Sequence, residues 1–194
     1  FLCFEIYLRF SYPNIHNPDK ELGWILKSNL DLNIKRKNLT GESYSVNFVT
    51  NNNGSRFYGS KKKSEIKILV LGDSFTNMPY ASNEDMWFSI FAKQLEAKIN
   101  KKVYVEAIGA GGYGTLQQFL LAKRLRNNLN PNFIILQFCG NDFINNTFTW
   151  ETETSSRYQY SRRPFIEHNT NKIIYYDGFL NIIYSSSFYE KVRI

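Results

Sequence analysis

The feature that most constrains the fold is a series of three apolar runs, each followed by a polar loop that contains glycine. The runs are "IKILVL" at 66–71, "KVYVEAIG" at 102–109 and "NFIILQF" at 132–138. Between them, segments 83–100 and 115–129 carry apolar residues at helical spacing. Continuous apolar strands alternating with helices are typical of a parallel sheet with covered faces and right-handed crossovers. The pattern therefore predicts an α/β fold.

Both predicted helices have end signals. Asn83 is the predicted N-cap of the first, since an Asn side chain can accept a hydrogen bond from the first helical turn. Asn130 and Pro131 predict the end of the second.

Residues 1–63 have a different pattern and predict a small strand-rich N-terminal extension to an α/β domain that spans 64–194. Val46 and Phe48 belong to a stretch that alternates with period two. We expect this region to be a lead-in or lid and not an independent domain. Near the other end, 165–178 predicts a hairpin with "HNTNK" at its tip.

The first ten residues, "FLCFEIYLRF", are too short to span a bilayer, which needs about 20 apolar residues. They are interpreted either as the remnant of a signal or membrane anchor or as an amphipathic helix packed on the domain. The first interpretation favours an extracytoplasmic or membrane-anchored location.

The net charge of +7 does not predict a nucleic-acid partner. The basic clusters, Lys61 to Lys63 and the pair Arg162 and Arg163, have no interleaved aromatic or glycine pattern and are expected to lie in solvated loops. Cys3 and Cys139 form no C-x-x-C pair. With His16 and His168 as the two histidines, neither a disulfide framework nor a metal site is expected.

Three loops follow the predicted strands: "GDSF" from Gly72, "GAGGYGT" from Gly109 and "CGND" from Cys139. Ligands of open parallel sheets bind at the carboxyl ends of the strands, so these loops are expected to share one edge. In the first loop Ser74 has two interpretations. Either Asp73 or Ser74 simply caps a short helix, or the Ser74 hydroxyl is a nucleophile exposed on a tight turn.

The second loop also contains a literal G-x-G-x-x-G, formed by Gly109, Gly111 and Gly114, which is the fingerprint of a dinucleotide site. Such a site requires an acidic residue about 20 positions further on to hold the ribose. Residues 129–138 contain no Asp or Glu, and the motif follows the second strand instead of the first. The nucleotide interpretation is the weaker one.

An acyl-transfer site accounts for all three loops. Attack by Ser74 on an ester carbonyl would create an oxyanion, which needs donors already in place. The Ser74 backbone N–H, a glycine N–H of the second loop and the Asn141 amide could supply them. Alternatively, Asn141 could serve only to join two loops.

With these blocks in this order, residues 64–145 resemble the SGNH hydrolases, also called GDSL esterases and lipases. "GDSF" is similar to the first block of the family, Gly112 to the second and "GND" at 140–142 to the third. The segment "ELGWILKSN" also resembles the N-terminal extension of membrane-anchored or exported members.

The resemblance implies a three-layer α/β/α flavodoxin-like domain in which Ser74 is the nucleophile and Ser74, Gly112 and Asn141 form the oxyanion hole. It implies ester substrates, from lipids to acetylated glycans, and no cofactor.

The chain departs from the family in one respect, because it has no C-terminal Asp-x-x-His block to supply the general base. His168 falls in the predicted hairpin tip, where we expect it to be solvent-exposed, and His16 is no better a candidate. Either the 194 residues are a C-terminally truncated fragment, which is the favoured explanation because they begin without Met and end without a stop signal, or the chain is a non-catalytic binding module.

Overall fold

The computed structural model describes residues 15–154, 163–167 and 169–176. The predicted anchor remnant at 1–10, His168 and residues 177–194 lie outside these ranges. No helix in the described part of the chain is both long and apolar enough to cross a bilayer.

Two antiparallel hairpins form the N-terminal part of the described chain. They consist of β1 (His16–Asp19) with β2 (Gly23–Leu26), and of β3 (Asp31–Lys37) with β4 (Ser43–Val49). Val46 and Phe48 of β4 are buried while the residues beside them on the strand are more exposed, as the period-two pattern predicts. From residue 15 onwards, this region is rich in strands.

Within the described residues the main sheet has four strands, in the order β5-β7-β6-β8. They are β5 (Arg56–Tyr58), β6 (Ile66–Gly72), β7 (Val103–Gly109) and β8 (Phe133–Leu136). The last three are parallel, as predicted, whereas β5 pairs antiparallel with β7. The expectation of a purely parallel sheet is therefore wrong, because residues assigned to the extension contribute an antiparallel edge strand.

The helices and the last hairpin complete the described fold. They are α1 (Ser74–Asn77), a 3-10 turn (Asn83–Asp85), α2 (Trp87–Ile99), α3 (Thr115–Leu129), α4 (Asn141–Asn146), α5 (Phe148–Thr154), β9 (Arg163–Ile166) and β10 (Ile173–Tyr176). Helix α3 has the predicted bounds, and Asn130 ends it in the left-handed conformation. The antiparallel pairing of β9 with β10 confirms the C-terminal hairpin.

Asn83 is not the N-cap of α2, which begins at Trp87 after Met86. The Asn83 side chain instead accepts hydrogen bonds from the Arg56 guanidinium and donates to the Val49 carbonyl at 3.0 Å. The Asn83 amide, which the local sequence assigned to a helix end, therefore binds the buried Arg56 guanidinium instead.

Alternate side chains of β6 face two separate cores. Leu69 and Leu71 pack with residues of α3, while Ile68 and Val70 pack with residues of α2. The two helices thus cover opposite faces of the central strand. The edge strand β8 is less well covered, since Phe133 is 59% exposed. The prediction that both faces of every parallel strand are buried is therefore wrong for β8.

Candidate active site

The carboxyl ends of the three parallel strands lie level at one edge of the sheet. Gly72 of β6 pairs with Gly109 of β7, and Leu71 of β6 pairs with Leu136 of β8. The three polar loops therefore leave the sheet from the same edge, where parallel sheets bind their ligands.

Ser74 is the first residue of α1, and its side chain is exposed. The N-cap is Asp73, whose carboxylate accepts a hydrogen bond from the Phe75 N–H at 3.0 Å. Within the described ranges the Ser74 hydroxyl has no hydrogen-bond partner. Of the two residues that could cap this helix, Asp73 does so, and the Ser74 hydroxyl remains accessible to a ligand.

Asn141 connects the third loop to the first. Its side-chain amide donates to Asp73 Oδ2 at 3.2 Å and to Asn145 Oδ1 at 2.8 Å. Asp73 is completely buried, so its carboxylate depends on such donors for stabilisation. Asn141 is therefore held next to the residue that precedes Ser74.

Gly112 lies in a tight turn of the second loop. The turn is closed by the Tyr113 N–H, which donates to the Ala110 carbonyl at 3.0 Å. Gly112 has a φ of +79°, a conformation that favours glycine, and it is buried. Its carbonyl accepts a hydrogen bond from Nη2 of Arg163.

The three loops lie in the part of the chain that matches a known protein family. The model of the GDSL-like Lipase/Acylhydrolase family matches residues 70–184, which is more than half of the chain and includes all three loops. The chain belongs to this family. Comparison with curated proteins and with solved structures gave no significant match.

In this GDSL-like protein two of the three glycines of the G-x-G-x-x-G pattern have packing roles. A Cβ on Gly109 would lie 2.4 Å from the Gly72 carbonyl oxygen, and one on Gly114 would lie 2.6 Å from Asn146 Oδ1. A Cβ on Gly111 would meet nothing within 4 Å. Close approach of the loops therefore explains Gly109 and Gly114 without a nucleotide.

Asp142 clamps the third loop to α3. Its carboxylate accepts hydrogen bonds from the Cys139 N–H at 2.7 Å, the Gln118 amide at 2.8 Å and the Thr115 hydroxyl at 3.1 Å. Burial raises the pKa of Asp142, although these three donors oppose the rise. Both carboxylate oxygens of Asp142 accept hydrogen bonds that fix the loop, so this residue has a structural role at the edge of the site.

Two buried charged residues next to these loops were missed by sequence reasoning. Arg163 is 1% exposed, so the prediction that it lies in a solvated loop is wrong. It belongs to β9, and its Nη1 lies 3.4 Å from Oε2 of Glu151, which is also 1% exposed. The predicted hairpin began at Phe165, two residues too late to include this arginine. Lys61, Lys62 and Lys63, by contrast, are exposed as predicted.

Within the described ranges, His16 is the histidine that could be considered as a general base. It is a half-buried residue of β1. It forms no hydrogen bond with the Ser74 hydroxyl. The same ranges contain no group of three or more His, Cys, Asp or Glu side chains arranged to hold a metal ion.

Proposed function

We propose that this chain is the serine-bearing part of an ester hydrolase and that Ser74 is its nucleophile. The observation that supports the proposal most strongly is the position of Ser74. It lies directly after the central strand, its side chain is exposed, and the neighbouring Asp73 performs the capping that would otherwise explain a serine there. Family membership supports the reaction class, which is ester hydrolysis. The proposed substrate is a small-molecule, lipid or glycan ester.

In the proposed reaction, Ser74 Oγ bonds to the ester carbonyl carbon while a general base takes its proton. The alcohol then leaves with a proton, and water hydrolyses the acyl-serine to a carboxylic acid. The backbone N–H groups of Ser74 and Gly112 and the side-chain amide of Asn141 are the proposed donors to the intermediate oxyanion. Both hydrogens of the Asn141 amide face protein acceptors, so we propose that one of them leaves Asp73 or Asn145 when the oxyanion forms.

The general base is proposed to lie outside the 194 residues, in an Asp-x-x-His block of the kind that the resemblance implies. The absence of that block from the sequence and the position of His16 support this assignment. Its addition would complete the proposed flavodoxin-like domain, of which β6, β7, β8, α2 and α3 are the described part. A serine without its base is a weak nucleophile at neutral pH.

Labelling with a fluorophosphonate tests the proposal, since this probe phosphonylates an activated serine. The full-length protein should react once per molecule, and Ser74→Ala should abolish the reaction. Ser60→Ala is the matched control, because Ser60 is also exposed but lies in the loop after β5. Labelling that persists in Ser74→Ala would show that the nucleophile assignment is wrong.

Within the described residues the Ser74 hydroxyl forms no hydrogen bond to a proton acceptor, which favours one alternative, a non-catalytic module that retains the ligand-binding edge. This alternative predicts that the full-length protein binds a carboxylic ester without hydrolysing it. Titration with an acetyl ester, followed by NMR and by assay of released acetate, distinguishes the two functions.

A further inference from the structure

One buried ion pair, Arg163 with Glu151, is connected by hydrogen bonds to both the Gly112 carbonyl and the Asn141 side chain. Arg163 donates from Nη2 to the Gly112 carbonyl and from Nη1 to the Asn145 carbonyl at 3.3 Å. Its Nη1 also lies 3.4 Å from Oε2 of Glu151. The planar guanidinium suits this task because it presents several donors in a rigid fork.

Glu151 connects the pair to Asn141 through one intermediate residue. Its Oε2 accepts a hydrogen bond from the Asn145 side-chain amide at 2.7 Å, and Asn145 Oδ1 in turn accepts from the Asn141 amide at 2.8 Å. The carboxylate thereby determines which way the Asn145 amide faces. With its nitrogen towards Glu151, Asn145 can offer only its oxygen to Asn141.

The contact with Arg163 also constrains the peptide that follows Gly112. The carbonyl of this peptide is held by Arg163, and its N–H, which belongs to Tyr113, is held by the Ala110 carbonyl. Because both ends of the peptide are held, rotation about the bonds of Gly112 is restricted. Gly112 and the peptide that carries its N–H lie inside the turn that the Tyr113–Ala110 hydrogen bond closes. By holding the last peptide of this turn, Arg163 stabilises the conformation in which Gly112 has its positive φ.

We propose that Glu151 and Arg163 are positioning residues that orient the Gly112 and Asn141 donors; this inference rests on the proposed hydrolase function. Stability alone is a poor explanation for the pair. The free energy needed to desolvate two charges offsets much of the free energy gained from their attraction. Buried ion pairs can therefore often be replaced by apolar side chains without loss of stability. The hydrogen bonds of the pair described above instead lead to Gly112 and Asn145, and the Arg163 guanidinium carbon lies 5.1 Å from the ring centroid of Trp24.

The kinetic test uses Arg163→Met, Arg163→Lys and Glu151→Gln in the full-length protein. A fluorophosphonate time course gives two quantities, the fraction of molecules that label and the rate constant of that fraction. Misplaced donors should lower the rate constant about 10-fold to 100-fold in Arg163→Met, since small errors of position at a reacting centre have effects of this size. Arg163→Lys should fall between Met and wild type, because one ammonium cannot reach both carbonyls. Variants that label in a smaller fraction at the wild-type rate constant would overturn the proposal.

A second measurement needs no activity. In ¹H–¹⁵N spectra, Arg163→Lys and Glu151→Gln should shift the Gly112 backbone amide and the Asn141 side-chain amide. Arg56→Lys is the matched control, because Arg56 is equally buried but holds the carbonyls of residues 77, 78 and 81. It should shift both resonances less than Arg163→Lys does, because Arg56 contacts the end of α1 and neither Gly112 nor Asn145. If Arg163→Lys leaves them unmoved, the inference fails, whereas absence of Ser74 labelling in the wild type would reject only the hydrolase function.

Discussion

Asn141 donates a hydrogen bond from its side-chain amide to the buried carboxylate of Asp73, at 3.2 Å. This contact joins the loop after β8 to the loop that carries Ser74. It also occupies a hydrogen that the proposed reaction requires for the oxyanion. The same amide thus has a structural partner in the described state and a proposed chemical partner during hydrolysis.

The first prediction concerns this amide. Asn141→Ala should lower the free energy of unfolding by about 1–3 kcal/mol, because it removes a donor to a buried carboxylate. It should also lower the rate constant of Ser74 phosphonylation about 100-fold, as loss of one oxyanion donor does elsewhere. Thermal or denaturant unfolding and the fluorophosphonate time course measure the two effects.

Asn53→Ala is the matched control for that variant. Asn53 donates from its side-chain amide to the buried Glu106 carboxylate at 2.6 Å. Ser55 and Tyr104, whose side chains also donate to this carboxylate, do not belong to the three loops. Asn53→Ala should show a comparable loss of stability with an unchanged labelling rate. If Asn141→Ala behaves in the same way, the residue only joins two loops.

The second prediction separates the glycines of the second loop. Gly109→Ala should destabilise the fold by roughly 1–3 kcal/mol or more, because its Cβ would lie 2.4 Å from the Gly72 carbonyl oxygen, which is backbone and cannot rotate away. Gly111→Ala should be tolerated, since its Cβ meets nothing within 4 Å. Urea unfolding of the two variants measures the difference. Equal loss of stability in both would contradict the packing explanation.

Local patterns account for the parts of this fold that were predictable. The strands β6, β7 and β8 and the helix α3 follow from apolar runs and periodicity, which neighbouring residues along the chain determine. The position of Ser74 after a strand was equally local. Asn141 was also singled out by its position after the third strand, and family resemblance then singled out Gly112. The site roles of both residues stay predictions.

The parts that were not predictable depend on contacts between distant residues. Asn83 is bonded to Arg56, 27 positions away, so its local suitability as an N-cap did not decide its role. Arg163 is buried against Gly112, 51 positions away, and no spacing in the sequence signals that contact. The antiparallel edge strand β5 has only three residues, too few for an alternation pattern to indicate a partner.

The third prediction concerns Arg56, which supports the end of the helix that begins with Ser74. Its guanidinium donates to the carbonyls of Asn77 at 2.9 Å, Met78 at 2.8 Å and Ala81 at 2.6 Å. Burial lowers the pKa of Arg56 to about 10, so the residue remains charged at neutral pH. Arg56→Lys should lower the free energy of unfolding by about 3 kcal/mol, because one ammonium cannot satisfy these acceptors.

The control for Arg56 is Arg126→Lys, on the exposed side of α3. Surface changes of this kind usually alter stability by less than about 0.5 kcal/mol. Guanidinium chloride unfolding, monitored by tryptophan fluorescence, compares the two variants. Losses of similar size in both would mean that the network around Arg56 contributes little.

The fourth prediction uses Cys139, whose thiol lies 3.5 Å from Asp73 Oδ1. Burial, with a smaller contribution from the Asp73 charge, raises the pKa of Cys139 from 9.0 to about 11. At pH 8 the thiolate fraction is then about 100-fold lower than for an ordinary thiol. The higher basicity of this thiolate recovers about 10-fold in nucleophilicity, so alkylation should be about 10-fold slower than for a free cysteine.

The sign of the pH dependence follows from the raised pKa. The folded state favours the protonated thiol, so this contribution to stability is complete below pH 9 and is lost as the pH rises through about 11. The iodoacetamide rate at Cys139, followed by peptide mass spectrometry, should therefore keep rising above pH 9 without levelling off. Asp73→Asn removes the nearby charge and should move the profile to lower pH by only part of the shift, since burial is the larger cause. A wild-type profile that levels off near pH 9 would show that neither burial nor Asp73 perturbs this thiol.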